Sequence, residues 1–328
     1  MRYVGAFLAL VVLAGSVVLT LARLVASEAE VWVLTASFVP FAVVGYLVAL
    51  VLLAWLAWRA RTDRLRGVRL LAIGLCVLGV GLHVWWLAPS YVGERASGRP
   101  DLTVMTFNML RGRADPAATA ALVRRAEPDV LVLTEVTPSA LAAAEARGVV
   151  GAGSGLPHLG GRALPGASGT VVASRYPLSE QRTLRMVHLG YRVKVEAPDP
   201  FEVLAVHATH PGIDIAAWRR DHATIVREAR ATTVAHLVVG DFNATLDHPP
   251  LRTLHEDGMT DAASVANAGW QPTWPSPERG RVWGVPTPFG LMAIDHVLMS
   301  THFSAVSTST AVVRDSDHQA LVARLTRR

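Results

Sequence analysis

The stretch Leu237-Val-Val-Gly-Asp-Phe-Asn243 contains the strongest single indication of the fold of this chain. Leu237 to Val239 predict a short strand, which Gly240-Asp241-Phe242-Asn243 follows directly. Asp241 and Asn243 are therefore expected at the end of a strand. Ligands of α/β proteins bind at such positions, because the ends of neighbouring strands bring polar side chains to one edge of a sheet.

Further strands and helices are predicted on both sides of this stretch. Apolar and β-branched runs predict strands at 102–107, 130–134, 169–174, 191–195, 201–206, 294–299 and 321–325. Helical patterns cover 116–127, 138–147, 214–230 and 249–256. Many strands with interspersed helices in residues 101–328 predict one α/β or α+β domain with a two-sheet core.

Polar residues lie at the ends of six predicted strands. They are Asn108, Glu135, His207, Asp241 with Asn243, Asp295 with His296, and Asp317 with His318. Taken singly, an Asn or Asp after a strand is more often a turn former than a ligand, but the joint occurrence favours one site. A hard divalent cation takes oxygen ligands, which Glu135, Asn108 and Asp317 can supply while leaving positions for water and a substrate phosphate.

Six short motifs occur in order along residues 101–328: TFN at 106–108, a strand ending in Glu135, a strand ending in His207, GDFN at 240–243, IDH at 294–296 and SDH at 316–318. In this order they resemble the endonuclease/exonuclease/phosphatase superfamily, which includes DNase I-like nucleases, inositol phosphatases and sphingomyelinases. The resemblance implies an α/β fold, the four-layer αββα sandwich, with the site at one end of the paired sheets. It also implies a phosphoric ester hydrolase that uses Mg²⁺, or Mn²⁺ in its place.

The resemblance implies a metal region and a group that activates water. Glu135 would be the principal Mg²⁺ ligand, with Asn108 beside it and Asp317 completing the metal region. Asp241 would orient or deprotonate the attacking water, and Asn243 would hold a phosphate oxygen.

The resemblance also implies two histidines that face the phosphate. His318 would stabilise the charge of the phosphorane, with Asp295 accepting a hydrogen bond from its other ring N–H. His207 would be the second phosphate-facing histidine. His210 is the alternative for that role, and His207 is preferred because it directly follows its strand. His296 is expected to be structural or to line the rim.

Three apolar runs, at 4–21, 31–58 and 70–87, fill the first ninety residues. Each is long enough for a helix that crosses about 30 Å of hydrocarbon. The second run has residues to spare, so it must tilt, kink at Pro40 or start later than Val31. We therefore expect a three-helix transmembrane region at 1–90, a linker at 91–100 and a catalytic domain at 101–328.

The loops between these runs predict the orientation. The loop between the second and third runs contains Arg59, Arg61, Arg64, Arg66 and Arg69 against one acid, Asp63. The loop between the first and second contains Arg23 with Glu28 and Glu30. The positive-inside rule places the arginine-rich loop in the cytoplasm. The N-terminus, with Arg2, is then in the cytoplasm as well. After three crossings the chain emerges on the other side, so we predict a multi-pass protein of the cell membrane with an extracytoplasmic catalytic domain.

Composition limits the function classes without choosing a substrate. A disordered or fibrous protein is excluded, since 51% of the 328 residues are hydrophobic and 17% are charged. Most of the net charge of +5 lies in the apolar first third, so the catalytic part is nearly neutral, which argues against tight non-specific duplex binding.

The predicted partners are the lipid bilayer and a phosphate-ester substrate. Nucleic acid, a phospholipid headgroup and a small phosphoester all stay open as substrates, because a fold alone does not choose among them. No obligate protein partner is indicated. The alternative from another class is a catalytically silent surface domain that binds a phosphorylated ligand or a protein partner.

Overall fold

The computed structural model describes residues 2–59, 66–93, 95–282 and 284–328. The chain divides into two compact units: Met1–Pro89 with Asp247–Pro249, and Ser90–Leu246 with Pro250–Arg328. After the sequence predictions, we call the first the membrane unit and the second the catalytic unit.

The membrane unit contains helices α1 (Arg2–Leu24), α2 (Glu30–Ala36), α3 (Ala42–Arg59) and α4 (Arg66–Leu87), with 3₁₀ turns at Val39–Phe41 and Ala88–Ser90. Three segments are long and apolar enough to cross a membrane: Tyr3–Leu24, Val39–Arg59 and Arg66–Ser90. Of the loop residues used to predict orientation, Arg61, Asp63 and Arg64 lie outside the described residues.

The second spanning segment starts later than the apolar run at 31–58. Pro40 lies in the 3₁₀ turn that separates α2 from α3. Proline has no backbone N–H to donate, and it disfavours helical geometry in the residue before it. The apolar run is therefore divided into a short helix and a spanning helix, the third of the three arrangements expected from the sequence.

A buried polar cluster joins the three long helices of the membrane unit. The hydroxyl of Thr20 lies 2.8 Å from the Tyr46 hydroxyl and 3.0 Å from Nε2 of His83. The Tyr46 ring packs on Gly79, where a Cβ atom would lie 2.5 Å from a ring atom. These contacts fix the packing of the helices, since a polar group in an apolar bundle must find its partner inside the bundle.

The catalytic unit alternates strands and helices. Its elements are β1 (Leu102–Asn108), α5 (Pro116–Ala126), β2 (Val130–Thr134), α6 (Pro138–Ala146), β3 (His158–Arg162), β4 (Thr170–Ser174), β5 (Leu178–Leu184), β6 (Gly190–Val195), β7 (Phe201–His207), α7 (Ile215–Arg230), β8 (His236–Asp241), α8 (Pro249–Glu256), β9 (Thr260–Asp261), α9 (Ala262–Val265), β10 (Arg281–Val282), β11 (Val285–Pro286), β12 (Asp295–Met299), β13 (Phe303–Val312) and β14 (Gln319–Arg327).

Two six-stranded mixed sheets pack face to face. The first has the strand order β13-β14-β1-β2-β4-β3, and the second β5-β6-β7-β8-β12-β9. Their facing residues form one apolar core, to which Val104, Val132, Val203 and Val239 belong. The helices α5 and α6 pack on the outer face of the first sheet, and α7 and α8 each bury one apolar face. The predicted four-layer α/β sandwich is confirmed.

Local signals account for the helix starts. The carboxylate of Asp115 accepts a hydrogen bond from the backbone N–H of Ala118, and Pro116 occupies the first turn. The hydroxyl of Thr137 and the carboxylate of Asp214 cap α6 and α7 in the same way. Each cap satisfies one backbone N–H that has no partner within the helix.

Candidate active site

The strand registers bring the predicted site residues to one end of the sandwich. In the second sheet, Asp241 pairs in register with His207 on one side and with Asp295 on the other. In the first sheet, β1 ends in Asn108 beside the end of β2, which Glu135 follows. Side chains alternate along a strand, so Asn108, His207, Asp241 and Asp295 continue the rows of core residues that face the opposite sheet.

Asn108 links the two sheets. Its side-chain Nδ2 donates to Oε1 of Glu135 at 3.2 Å and to Oδ2 of Asp241 at 2.9 Å. Its Oδ1 accepts a hydrogen bond from the backbone N–H of Leu110 at 2.9 Å. Asn108 therefore holds two carboxylates together. Its Oδ1 is the atom that would face a metal according to the family resemblance, but here it accepts a hydrogen bond from the loop after β1.

Glu135 and Asp317 form an acidic region at the mouth of the site. Glu135 has a left-handed backbone conformation, with φ of 55°, and its Oε2 accepts from the N–H of Arg111 at 2.8 Å. Burial raises the pKa of Glu135, and the charge of Asp317 adds to the rise. Oδ1 of Asp317 is buried without a hydrogen-bond partner among the described residues. Two carboxylates that repel each other, one with an unsatisfied oxygen, fit a divalent cation.

Asp241 lies at the centre of the site and is 1% exposed. Its Oδ1 accepts from the N–H of Asn243 at 2.8 Å, and its Oδ2 lies 3.8 Å from Nε2 of both His207 and His318. Burial, reinforced by the charge of Asp295, raises the pKa of Asp241 to about 7. A carboxylate with that pKa can take up a proton near neutral pH.

His318 and Asp295 form a hydrogen-bonded pair, with His318 Nδ1 donating to Asp295 Oδ2 at 2.9 Å. Burial opposes a charge on His318, but the charges of Asp295 and Asp241 outweigh it and raise the pKa of His318 to about 10. The ring is therefore an imidazolium at neutral pH. Potential ligand atoms of Asp241, Asp295 and His318 all lie within 4.8 Å of one another. Since the imidazolium offsets one of the two carboxylates of this cluster, we expect a cation at the acidic region of Glu135 and Asp317 instead.

His207 is buried beside both carboxylates, with Nε2 3.9 Å from Oε1 of Glu135. Burial, followed by the charges of His188 and His318, lowers the pKa of His207 well below its ordinary value, so the ring is neutral. His210 is exposed, and its Nδ1 accepts from the N–H of Gly212. The structure thus brings His207, rather than His210, to the two carboxylates.

His188 is a site residue that the sequence does not reveal. Its ring stacks on that of His207, with centroids 4.3 Å apart and an interplanar angle of 16°. It lies in the loop between β5 and β6, which contains none of the motifs found at the strand ends. Only the packing of that loop against β7 places it beside the site.

Three ring N–H groups hold the loop that carries Asn243. Trp218 Nε1 donates to the carbonyl of Asn243 at 3.1 Å, and Nε2 of His222 and His296 contact the carbonyls of Phe242 and Ala244 at 3.0 Å each. His296 is therefore structural, as the sequence favoured. Its Nδ1 lies 3.2 Å from the Asp261 carboxylate. The Asn243 side chain is also engaged, with Nδ2 donating to the Ala208 carbonyl at 2.9 Å.

Steric crowding explains why a glycine occupies the first position of the GDFN motif, Gly240. Its φ is 143°, and a Cβ atom there would lie 1.9 Å from the carbonyl oxygen of Val206. Any side chain would push β8 away from β7 and separate Asp241 from His207. The glycine therefore allows the backbones of β7 and β8 to approach closely at this position.

Comparisons with known proteins agree with this geometry. The model of the Endonuclease/Exonuclease/phosphatase family matches residues 105–318, more than half of the chain. A solved endonuclease/exonuclease/phosphatase from Beutenbergia cavernae DSM 12333 is 21% identical, with a TM-score of 0.52 over 70% of this chain and 72% of that chain.

Two further structures share the fold at lower identity. Truncated Caenorhabditis elegans TDP2 is 15% identical, with a TM-score of 0.52 over 69% of this chain and 98% of that chain. An AP endonuclease from Archaeoglobus fulgidus is 16% identical, with a TM-score of 0.52 over 68% of this chain and 98% of that chain. No curated protein matches the chain in sequence.

Proposed function

The chain belongs to the endonuclease/exonuclease/phosphatase family, and we propose on that premise that it is a membrane-anchored, divalent-metal-dependent phosphoesterase acting outside the cytoplasm. One observation carries the proposal. A buried carboxylate with a pKa of about 7, Asp241, faces the imidazolium of His318 and a neutral His207 at the same end of the sandwich. A base beside a fixed cation suits attack of water on phosphorus.

The proposed reaction uses Asp241 and His318 in different roles. Asp241 takes a proton from water as the water oxygen bonds to phosphorus, and the ester P–O bond breaks on the opposite side. His318 faces the negative charge that develops on the phosphoryl oxygens, and Asp295 keeps its ring protonated and oriented. Asn243, whose backbone is held by Trp218, would bind a phosphoryl oxygen.

The acidic region would hold the metal, with Glu135 as its main ligand and Asp317 and Asn108 beside it. A bound Mg²⁺ or Mn²⁺ would supply charge neutralisation at the phosphate. Glu135 is oriented for this by Arg111, whose N–H bonds one carboxylate oxygen and leaves the other toward Asn108 and His207. For Asn108 to offer its own oxygen, its amide would have to turn away from Leu110.

We expect hydrolysis by the full-length chain in detergent to require a divalent ion. A screen of DNA, RNA, phospholipid vesicles and bis(p-nitrophenyl) phosphate should give hydrolysis of at least one, abolished by EDTA and restored by Mg²⁺ or Mn²⁺. Glu135→Gln should lower it by about two orders of magnitude, because a catalytic metal contributes several kcal/mol of charge stabilisation.

Glu180→Gln is the matched control, since Glu180 is exposed on β5 and pairs with Lys194. Hydrolysis unaffected by EDTA would contradict metal dependence. A chain that binds phosphoesters tightly and hydrolyses none of them would favour the silent binding domain instead.

The orientation of the catalytic unit leads to a second expectation. Alkaline phosphatase fused after Pro89 should be active, because it needs an extracytoplasmic site, and a cytoplasmic reporter at the same position should be inactive. The physical reason is the cost of moving the arginines between the second and third spans across an energised membrane. The reverse pattern would place the catalytic unit in the cytoplasm and exclude substrates outside it.

A further inference from the structure

The buried side chains of α7 include the polar groups of Trp218, Asp221 and His222. They follow the spacing that places residues on one side of a helix. Trp218 and His222 reach the loop with Asn243, as described above. Asp221, which is 1% exposed, reaches two other loops, and the proposed reaction assigns it no part.

Asp221 joins two segments that are distant in the sequence. Its Oδ1 accepts a hydrogen bond from the N–H of Val187 at 3.0 Å. Its Oδ2 accepts from the N–H of Thr209 at 2.9 Å and from the Thr209 hydroxyl at 2.7 Å. Val187 directly precedes His188, and Thr209 lies two residues after His207. One carboxylate thus holds the backbone beside both members of the stacked histidine pair.

The stack limits the orientation of the His207 ring. The His188 ring lies almost parallel to it at 4.3 Å, so tilting the His207 ring out of this plane would bring its edge against His188. In the stacked orientation, Nε2 of His207 lies 3.9 Å from Glu135 and 3.8 Å from Asp241. The position of His188 depends in turn on the loop that Asp221 holds.

We propose that Asp221 is a positioning residue, which sets His188 against His207 and so fixes the direction in which His207 faces Glu135 and Asp241. The inference deepens the proposed function by naming what orients the second histidine of the site. Asp221→Asn tests it, because an amide offers one acceptor oxygen and turns two donor hydrogens toward N–H groups that need an acceptor. At least one of the three hydrogen bonds must break.

The matched control is Asp129→Asn. Asp129 is also buried, and its Oδ2 accepts from the N–H of Thr103 at 2.8 Å. It precedes β2, whereas Glu135 follows that strand, so it lies at the opposite end of the sheet from the site. Its Oδ1 also lies 3.2 Å from Nε of Arg175, and loss of this ion pair should lower stability without reaching the histidine pair.

The first measurement is the NMR spectrum of the full-length chain in nanodiscs, with its 12 histidines labelled at Cε1. The His207 signal is assigned with His207→Gln. Asp221→Asn and His188→Ala should both move this signal, because each removes the parallel ring from its place. Asp129→Asn should leave it unmoved. A purely stabilising Asp221 would lower Tm and leave the His207 signal of the folded protein unchanged, which would overturn the proposal.

The second measurement is kcat on bis(p-nitrophenyl) phosphate with Mg²⁺. Asp221→Asn and His188→Ala should lower kcat by about 10- to 100-fold, the cost of a small misplacement in a site. His188→Phe, which keeps a flat ring in the stack, should restore most of the loss. Normal kcat in His188→Ala would also overturn the proposal.

The proposal stays testable if Asp221→Asn does not fold, and also if the wild-type chain is inactive. If Asp221→Asn does not fold, Thr209→Val removes one of the three hydrogen bonds without changing the carboxylate, and a smaller shift of the His207 signal is expected. If the wild-type chain hydrolyses no phosphoester, the proposed function fails, while the NMR comparison still decides whether Asp221 positions the histidine pair.

Discussion

Asp241→Asn should lower turnover by about 10²- to 10⁴-fold, the usual cost of losing a general base. The substitution is nearly isosteric, so the fold should persist. It removes the charge and the proton acceptor from the carboxylate that lies 3.8 Å from His207 and from His318. An amide oxygen can still accept from the N–H of Asn243, and Asn108 would have to turn its own amide to meet the new NH₂ group.

The measurement is kcat on the substrate class found in the screen, with circular dichroism and Tm to establish folding. Asp129→Asn is again the control, because it makes the same change in a buried aspartate at the other end of the sheet. Turnover of Asp241→Asn close to that of the wild type would move the water-activating role to another group. In that case the raised pKa of Asp241 would reflect burial and the charge of Asp295 without a part in catalysis.

His318→Ala should cost about 10²- to 10³-fold in kcat, the effect of removing one group that stabilises transition-state charge. Asp295→Asn should cost no more than this, since Asp295 acts through the ring to which it is hydrogen-bonded. The double variant should be little worse than His318→Ala, because residues that act as a unit are not additive. The quantity to measure is the coupling in this double-mutant cycle.

A pH profile separates the two single variants. Asp295 helps to raise the pKa of His318 to about 10, so the wild-type ring keeps its proton throughout the neutral range. In Asp295→Asn the pKa falls, and the ring loses its proton at a lower pH. The loss of activity should therefore be greatest at alkaline pH. Additive losses in the cycle would reduce Asp295 to a residue that only begins β12.

Much of the sandwich is predictable from local signals. Runs of apolar and β-branched residues predict β1, β2, β7, β8 and β12, and each predicted strand was found within a few residues of its expected bounds. The alternation of side chains along a strand then puts Asn108, His207, Asp241 and Asp295 on the side that faces the opposite sheet. These signals reside in short segments, because backbone geometry sets the period of two and the helix caps.

Strands at the edges are less visible in the sequence. β3, with the sequence HLGGR, has no β-branched residue and lies in a glycine-rich segment that resembles a surface loop. Its pairing with β4 makes it a strand. Hydrogen bonding to a neighbour, rather than intrinsic preference, forms this strand. β13 alternates Ala and Ser with β-branched Val and Thr, and it pairs with β14 along its whole length. Its small and polar residues lack the apolar run by which the other strands were predicted.

The sequence by itself determined the three apolar spans, the layered α/β domain and the polar residues that end its strands. Only the tertiary structure decided that His207 rather than His210 meets the carboxylates, that His188 stacks on His207, and that Asp221 holds both segments. The first group depends on periodicity and caps, which neighbouring residues establish among themselves. The second depends on the register of two sheets and on loops that approach from distant positions, and no short segment contains that information.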